Sequence, residues 1–143
     1  MKSKIIWKDN MAFYGEGENS TNQVVFDATS GVGGNEEGPC PMEMLLISLA
    51  GCASMDIMTI IRKRRKEIEE YWVEVSGERR DEHPKIFEKI DMTFHVKSKD
   101  LTEKELVRAI ELSESTYCSV WSSFDPDKTE ITYDYVIHPP AEE

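Results

Sequence analysis

Alternating and continuous runs of apolar residues divide the chain into predicted strands and helices. Short strands are predicted at residues 3–8 (SKIIWK) and 23–28 (QVVFDA), with turn residues between them. Apolar residues at every second position predict a strand pair over 71–79 and 85–96, joined by a polar turn. The same alternation predicts a last strand over 131–137.

A long helix is predicted over residues 41–66. Pro41 suits the first helical position, and Glu43 places negative charge in the first turn. From Met44 to Met55 the helix has no polar face, so this half needs burial on every side. Since one domain of this size rarely wraps a helix completely, we expect it to pack against a second copy of the chain in a homodimer.

A second helix is predicted to begin after Thr102, because Thr102-Glu103-Lys104-Glu105 has the pattern of a capping box. The order of elements is strands, a buried helix, a hairpin, a helix and a last strand. This order predicts an α+β architecture, and the length of 143 residues fits one domain over residues 1–143.

The charge of the chain bears on its partners. The formal net charge is -11 and the isoelectric point is near 4.8, which argues against a nucleic-acid partner. The basic run from Arg62 to Lys66 lies at the end of the predicted helix, where cations complement the helix dipole. No signal peptide is recognised, and the apolar run is expected to be too short for a membrane span. We therefore expect a cytoplasmic protein without a membrane partner.

The candidate chemistry lies in three cysteines, Cys40, Cys52 and Cys118. Cys52 is surrounded by small residues within the apolar run, and it is either core filling or a reactive thiol. No C-x-x-C or Cys/His spacing typical of zinc occurs, so no metal site is expected. The three histidines are distant from the cysteines in sequence, and a Cys–His nucleophile pair stays open. Cys40 precedes Cys52 by roughly 18 Å of helical rise, beyond disulfide reach.

Three segments of the chain together resemble the OsmC/Ohr family of thiol peroxidases, and its YhfA-like branch most closely. They are PMEMLLISLAGCASMD, SGERRDEHPKIFEKIDMTFHV and LSESTYCSV, in this order. The resemblance spans the chain from Trp7 to the final strand. It implies an OsmC-like fold, an intertwined homodimer with two long central helices back to back, and two thiol sites at the subunit interface.

The resemblance also implies an activity. By position, Cys52 is similar to the cysteine that attacks the peroxide, and Cys118 to its resolving partner. The substrates would be organic hydroperoxides or hydrogen peroxide. An external dithiol would reduce the enzyme again, and no cofactor is expected, because the chain shows no flavin, haem or nicotinamide motif.

The chain departs from the Ohr pattern at the residues that activate the thiol. That pattern places an arginine early in the chain, whereas no arginine precedes Arg62 here, and its glutamate falls one position before Glu43. Strand alternation makes Arg79 the best substitute, because it is predicted to point inward with Glu43 or Asp56 as its carboxylate partner. A surface ion pair for Arg79 is equally open.

These departures leave other functions open. A redox-sensing or small-molecule-binding dimer would oxidise the same cysteine pair without efficient turnover. A purely structural dimer is the weakest interpretation.

Overall fold

The structure is a computed structural model that describes residues 1–141. The described chain forms two compact units, one over Met1–Leu45 and one from Leu46 onward. Strands and helices together confirm the predicted α+β class. In chain order the elements are β1 (Ser3–Asp9), β2 (Ala12–Gly17), β3 (Val24–Phe26), α1 (Pro41–Lys63), β4 (Glu70–Arg79), β5 (Phe87–Lys97), α2 (Glu103–Leu112) and β6 (Glu130–His138).

The first unit contains an antiparallel sheet in the order β1-β2-β3. The sequence pattern missed β2, because glycines at positions 15 and 17 leave it few residues with strand preference. Strand β3 is shorter than predicted and ends before Asp27, which is 2% exposed. The Asp27 carboxylate accepts backbone N–H bonds from Ala28, Asn35 and Glu37, and these bonds organise the following loop.

Helix α1 has one face that its own chain buries and one that it leaves open. It ends at Lys63, three residues earlier than predicted. The buried face repeats with helical spacing: Leu49, Ala50, Ala53, Ile57 and Ile61. On the opposite face, Ile47 is 51% exposed and Met55 74% exposed, and a Cβ added at Gly51 would meet nothing within 4 Å. The expected burial on every side is therefore not supplied by residues 1–141 of the same chain.

The length of α1 corrects one expectation. By length and composition alone, this helix is long and apolar enough to cross a membrane, although its apolar run looked too short. The core helices of globular proteins meet the same criterion. Of its most apolar window, 28% is buried within the chain.

The second unit contains a sheet in the order β4-β5-β6. Strands β4 and β5 are antiparallel, as the predicted pair requires, and β6 runs parallel to β5. The buried residues of β5 alternate with half-buried ones and form much of the core: Ile90, Met92, Phe94 and Val96. A register shift between Glu78 and Arg79 interrupts the pairing at the end of β4.

Helix α2 begins as predicted. The Thr102 side chain accepts the backbone N–H of Glu105, whose carboxylate accepts the N–H of Thr102, so the capping box is complete. The helix buries Leu106, Ala109 and Ile110. It continues into a wider π-helical turn over Ser113–Tyr117, which ends at Cys118.

Candidate active site

Helix α1 supplies the first thiol. Cys52 is half-buried and lies about three turns into the helix, between the buried and the open face. Asp56 follows one turn later, also half-buried, so its side chain lies on the same side of the helix. Small neighbours, Gly51 and Ala53, leave the Cys52 thiol without bulky side chains on either side in sequence.

The segment after α2 supplies the second thiol. Cys118 is 1% exposed, and its backbone N–H donates to the Ser113 carbonyl at 2.8 Å, which closes the π-helical turn. The backbone N–H of Trp121 points at the Cys118 sulfur, with a nitrogen–sulfur distance of 3.4 Å. These two hydrogen bonds join Cys118 to one residue before it and one residue after it in sequence.

The fold brings the two thiols and Asp56 together. The Sγ atoms of Cys52 and Cys118 and a carboxylate oxygen of Asp56 all lie within 4.8 Å of one another. The Ser113 hydroxyl donates to Asp56 Oδ2 at 3.0 Å and ties the carboxylate to the π-helical turn. Both cysteines are free thiols. A disulfide, with its bond of about 2 Å, needs only a modest approach of the two sulfurs.

The surroundings of Cys118 disfavour its thiolate form. Burial away from water raises the pKa of Cys118 to about 11, and its contacts with Cys52 and the charge of Asp56 add to the rise. The N–H of Trp121 acts in the opposite direction but is outweighed. Cys118 therefore stays protonated at neutral pH. A protonated, buried thiol is a poor first nucleophile, because the thiolate is the attacking form.

Arg79 does not point inward, which corrects the orientation expected from strand alternation. The side chain is exposed, and its Nε donates to the backbone carbonyl of Lys85 at 2.6 Å. The pairing shifts at this point, from Glu78 with Lys89 to Arg79 with Phe87, so the regular alternation of faces along β4 does not extend to Arg79. Arg80 likewise donates from Nε to the carbonyl of Pro84, so both arginines hold the turn between β4 and β5.

Glu43 lies in the first unit and caps the N-terminus of α1. Its Oε2 accepts the backbone N–H of Cys40 at 2.7 Å, which is one half of a capping box. Cys40 is half-buried just before the helix. The structure thus joins Cys52 with Cys118, while the hydrogen bonds of Glu43 and Arg79 are made to neighbouring backbone.

Sequence reasoning did not identify Ser113 and Trp121 as parts of this site. Ser113 stands five residues before Cys118, and only the π-helical turn reveals that its hydroxyl reaches Asp56. Trp121 contributes a backbone N–H, which any residue except proline carries, so no sequence signal marks it.

Comparison with known proteins gives a consistent result. A family model described as OsmC-like protein matches residues 33–134. Protein YhfA of Escherichia coli K12 is 35% identical over 120 residues, which cover 84% of this chain and 86% of YhfA. A hypothetical protein from Aquifex aeolicus VF5 has a similar solved structure, with a TM-score of 0.79, 25% identity and 96% of each chain covered. The organic hydroperoxide resistance protein OhrB of Bacillus subtilis shares the fold, with a TM-score of 0.61, 16% identity, and 95% and 98% of the two chains covered.

Proposed function

The chain belongs to the OsmC-like family, and on this premise we propose that it is a cysteine-based peroxidase for organic hydroperoxides or hydrogen peroxide. One observation carries the proposal: two free thiols of unlike burial lie within 4.8 Å of each other. Structural relatives named as organic hydroperoxide resistance proteins support the substrate class.

The first chemical step belongs to Cys52. Its thiolate attacks the terminal oxygen of a hydroperoxide ROOH, the O–O bond breaks, and RO⁻ takes a proton and leaves as ROH. Cys52 becomes a sulfenic acid. The half-buried position of Cys52 suits this role, because the peroxide has to reach its sulfur from solvent.

The second step belongs to Cys118. Its sulfur attacks the Cys52 sulfur, the S–O bond breaks, and the hydroxide combines with the Cys118 proton to form water. The product is a Cys52–Cys118 disulfide, which protects Cys52 from further oxidation. An external dithiol then reduces the disulfide by exchange and is itself oxidised. The burial of Cys118 suits a thiol that meets only its internal partner.

We further propose that the open face of α1 packs against the same face of a second copy. Ile47 and Met55 are exposed there, and Gly51 between them permits close approach of two helices. Sedimentation of the purified protein tests this, and a stable folded monomer at micromolar concentration would contradict it.

The activating cation is proposed rather than located. Within residues 1–141, no lysine or arginine makes an ion pair with Asp56. Arg79 therefore remains a candidate only through a second copy of the chain, and Glu43 remains its candidate carboxylate. We propose that the protein acts without a cofactor and has no nucleic-acid or membrane partner. We also propose that it is cytoplasmic. The net charge of -11 supports the absence of nucleic acid.

A second candidate function is a redox sensor or small-molecule-binding dimer that oxidises once without efficient turnover. The hydrogen bonds of Arg79 and Glu43 favour it, since each of these side chains bonds to backbone close to it in sequence, at Lys85 and Cys40 respectively.

Peroxide consumption in the presence of a dithiol separates the two functions. A peroxidase consumes many equivalents of cumene hydroperoxide per chain at a steady rate, and stops when the dithiol is omitted. The sensor consumes about one equivalent whether or not the dithiol is present. The variant Cys40→Ser should behave as the unchanged protein, because Cys40 lies outside the thiol pair.

A further inference from the structure

The site gathers donor atoms of a kind that metal ions bind. We propose that Cys52, Cys118 and Asp56 of the reduced protein form a binding site for a thiophilic divalent cation, with Zn²⁺ the best fit. Two thiolates and one carboxylate are established zinc ligands, and three protein ligands leave a fourth position for water. The inference concerns the same thiols as the proposed peroxidase but does not depend on turnover.

The spacing of the donors fits such an ion. Zinc binds sulfur at about 2.3 Å and oxygen at about 2.0–2.2 Å, so two ligands of one tetrahedral zinc lie about 3.5–3.8 Å apart. The three donor atoms of this site lie within 4.8 Å of one another. Side-chain adjustments of about 1 Å would therefore close the site around an ion. Cys52 and Asp56 are four residues apart on one helix, the spacing by which a helix presents two ligands to one metal.

An outer hydrogen bond already orients the carboxylate. Ser113 donates to Asp56 Oδ2 at 3.0 Å, as the partners of ligating carboxylates do in metal sites. Trp121 in turn donates its N–H to the Cys118 sulfur, a contact that favours the thiolate over the thiol. These contacts support a site whose ligands are positioned before any ion binds.

A divalent cation would compensate the charge of its deprotonated ligands. Binding releases the thiol protons, and the two thiolates and the Asp56 carboxylate then bring three negative charges to a site in which Cys118 is 1% exposed. Within residues 1–141 no basic side chain forms an ion pair with Asp56. A divalent cation would offset two of the three charges and would hold both sulfurs as thiolates. While bound, it would occupy the sulfur electron pair that attacks a peroxide.

Cobalt titration of the full-length, reduced protein under anaerobic conditions tests the inference, because Co²⁺ replaces Zn²⁺ and absorbs visible light. We expect thiolate-to-cobalt charge-transfer absorption with d–d bands of tetrahedral coordination, saturating at one ion per chain and abolished by one equivalent of Zn²⁺. Absence of charge-transfer absorption at millimolar Co²⁺ would overturn the proposal.

Variants assign the ligands. Cys52→Ser and Cys118→Ser should each lose at least half of the charge-transfer intensity, and Asp56→Asn should weaken cobalt affinity at least tenfold while keeping the sulfur bands. Ser113→Ala, which removes only the orienting hydrogen bond, should weaken it about tenfold. Cys40→Ser is the matched control and should change nothing. Unchanged binding in both Cys52→Ser and Cys118→Ser, or loss of binding in Cys40→Ser, would show an adventitious ion and reject the site.

The experiment separates this inference from the peroxidase proposal. Cobalt binding is measured without peroxide, and peroxide consumption is measured on metal-free protein with a chelator present. A protein that binds cobalt through both sulfurs but consumes no peroxide would uphold the metal site and reject the peroxidase. The reverse result would do the opposite.

Discussion

The two thiols of the site differ in the backbone that carries them. Cys52 stands in regular α-helix and is half-buried, whereas Cys118 ends a π-helical turn and is 1% exposed. Cys52 can be reached from solvent, and helix α1 positions it. Cys118 is held by hydrogen bonds to Ser113 and Trp121 and is shielded from solvent. Accessibility and protection are thus divided between two cysteines.

Through this difference in burial, one chain gives two identical side chains different reactivity. Burial raises the pKa of Cys118 to about 11, so at neutral pH this sulfur keeps its proton until it reacts with the sulfenic acid of Cys52. The proposed order of reaction, Cys52 first and Cys118 second, follows from this asymmetry.

Removing the accessible thiol should have the largest effect. In Cys52→Ser the proposed nucleophile is absent, so peroxide consumption should fall to the level of buffer. No sulfenic acid should be trapped by dimedone, and mass spectrometry of the peroxide-treated protein should show no disulfide between residues 52 and 118. Residual turnover above a tenth of the unchanged rate would show that Cys118 or Cys40 attacks the peroxide instead.

Removing the buried thiol should leave a single reaction. Cys118→Ser keeps Cys52, so one equivalent of peroxide should be consumed in a burst, and turnover with dithiol should then slow sharply. With excess peroxide, Cys52 should proceed to sulfinic and sulfonic acid, seen as mass increases of two and three oxygens. Equal over-oxidation of Cys52 in the unchanged protein would mean that Cys118 does not protect it.

Much of the fold was predictable because its signals are local. The capping box at Thr102, the apolar run of α1 and the alternation in β4, β5 and β6 each depend on residues close in sequence. The missed strand β2 has glycines at positions 15 and 17, and its pairing with β1 and β3 comes from the sheet rather than from its own residues.

The candidate site was predictable only in part, because its assembly is not local. The resemblance identified the pair Cys52 and Cys118. Their approach to within 4.8 Å involves a π-helical turn over Ser113–Tyr117 that no residue pattern predicted. No C-x-x-C or Cys/His spacing occurs in the sequence, but the fold brings Cys118 to Cys52 and Asp56 of helix α1. Arg79 was misoriented in the prediction because a bulge breaks the alternation on which the prediction relied.

High pH should lower the stability of the folded chain through the buried Cys118 thiol. The pKa of Cys118 lies near 11 in the folded chain, above its ordinary value of 9.0, so folding favours the protonated thiol. Its contribution to stability is therefore complete below pH 9 and is lost as the pH rises through 11. The loss should reach roughly 2 kcal/mol in the free energy of unfolding, about thirtyfold in the equilibrium constant.

Urea unfolding of reduced, metal-free protein at pH 8 and pH 11 measures this loss. The variant Cys118→Ser is the control, because it keeps the other groups that titrate in this range, including Tyr71. The unchanged protein should lose more stability than the variant between the two pH values. Parallel losses would indicate that the Cys118 thiol gains no protection from its burial.

The smallest expected effect concerns the accessible thiol and its cation. If a second copy of the chain brings Arg79 to Cys52, Arg79→Ala removes that cation and should slow peroxide oxidation about tenfold below the unchanged rate. Arg80→Ala is a matched control, because both arginines donate from Nε to backbone carbonyls of the same turn and both variants lose that contact. Stopped-flow oxidation of Cys52 with the two variants measures the difference. Equal, small effects would mean that both arginines only stabilise the turn. A larger effect from Arg80→Ala would mean that Arg80 is the activating cation.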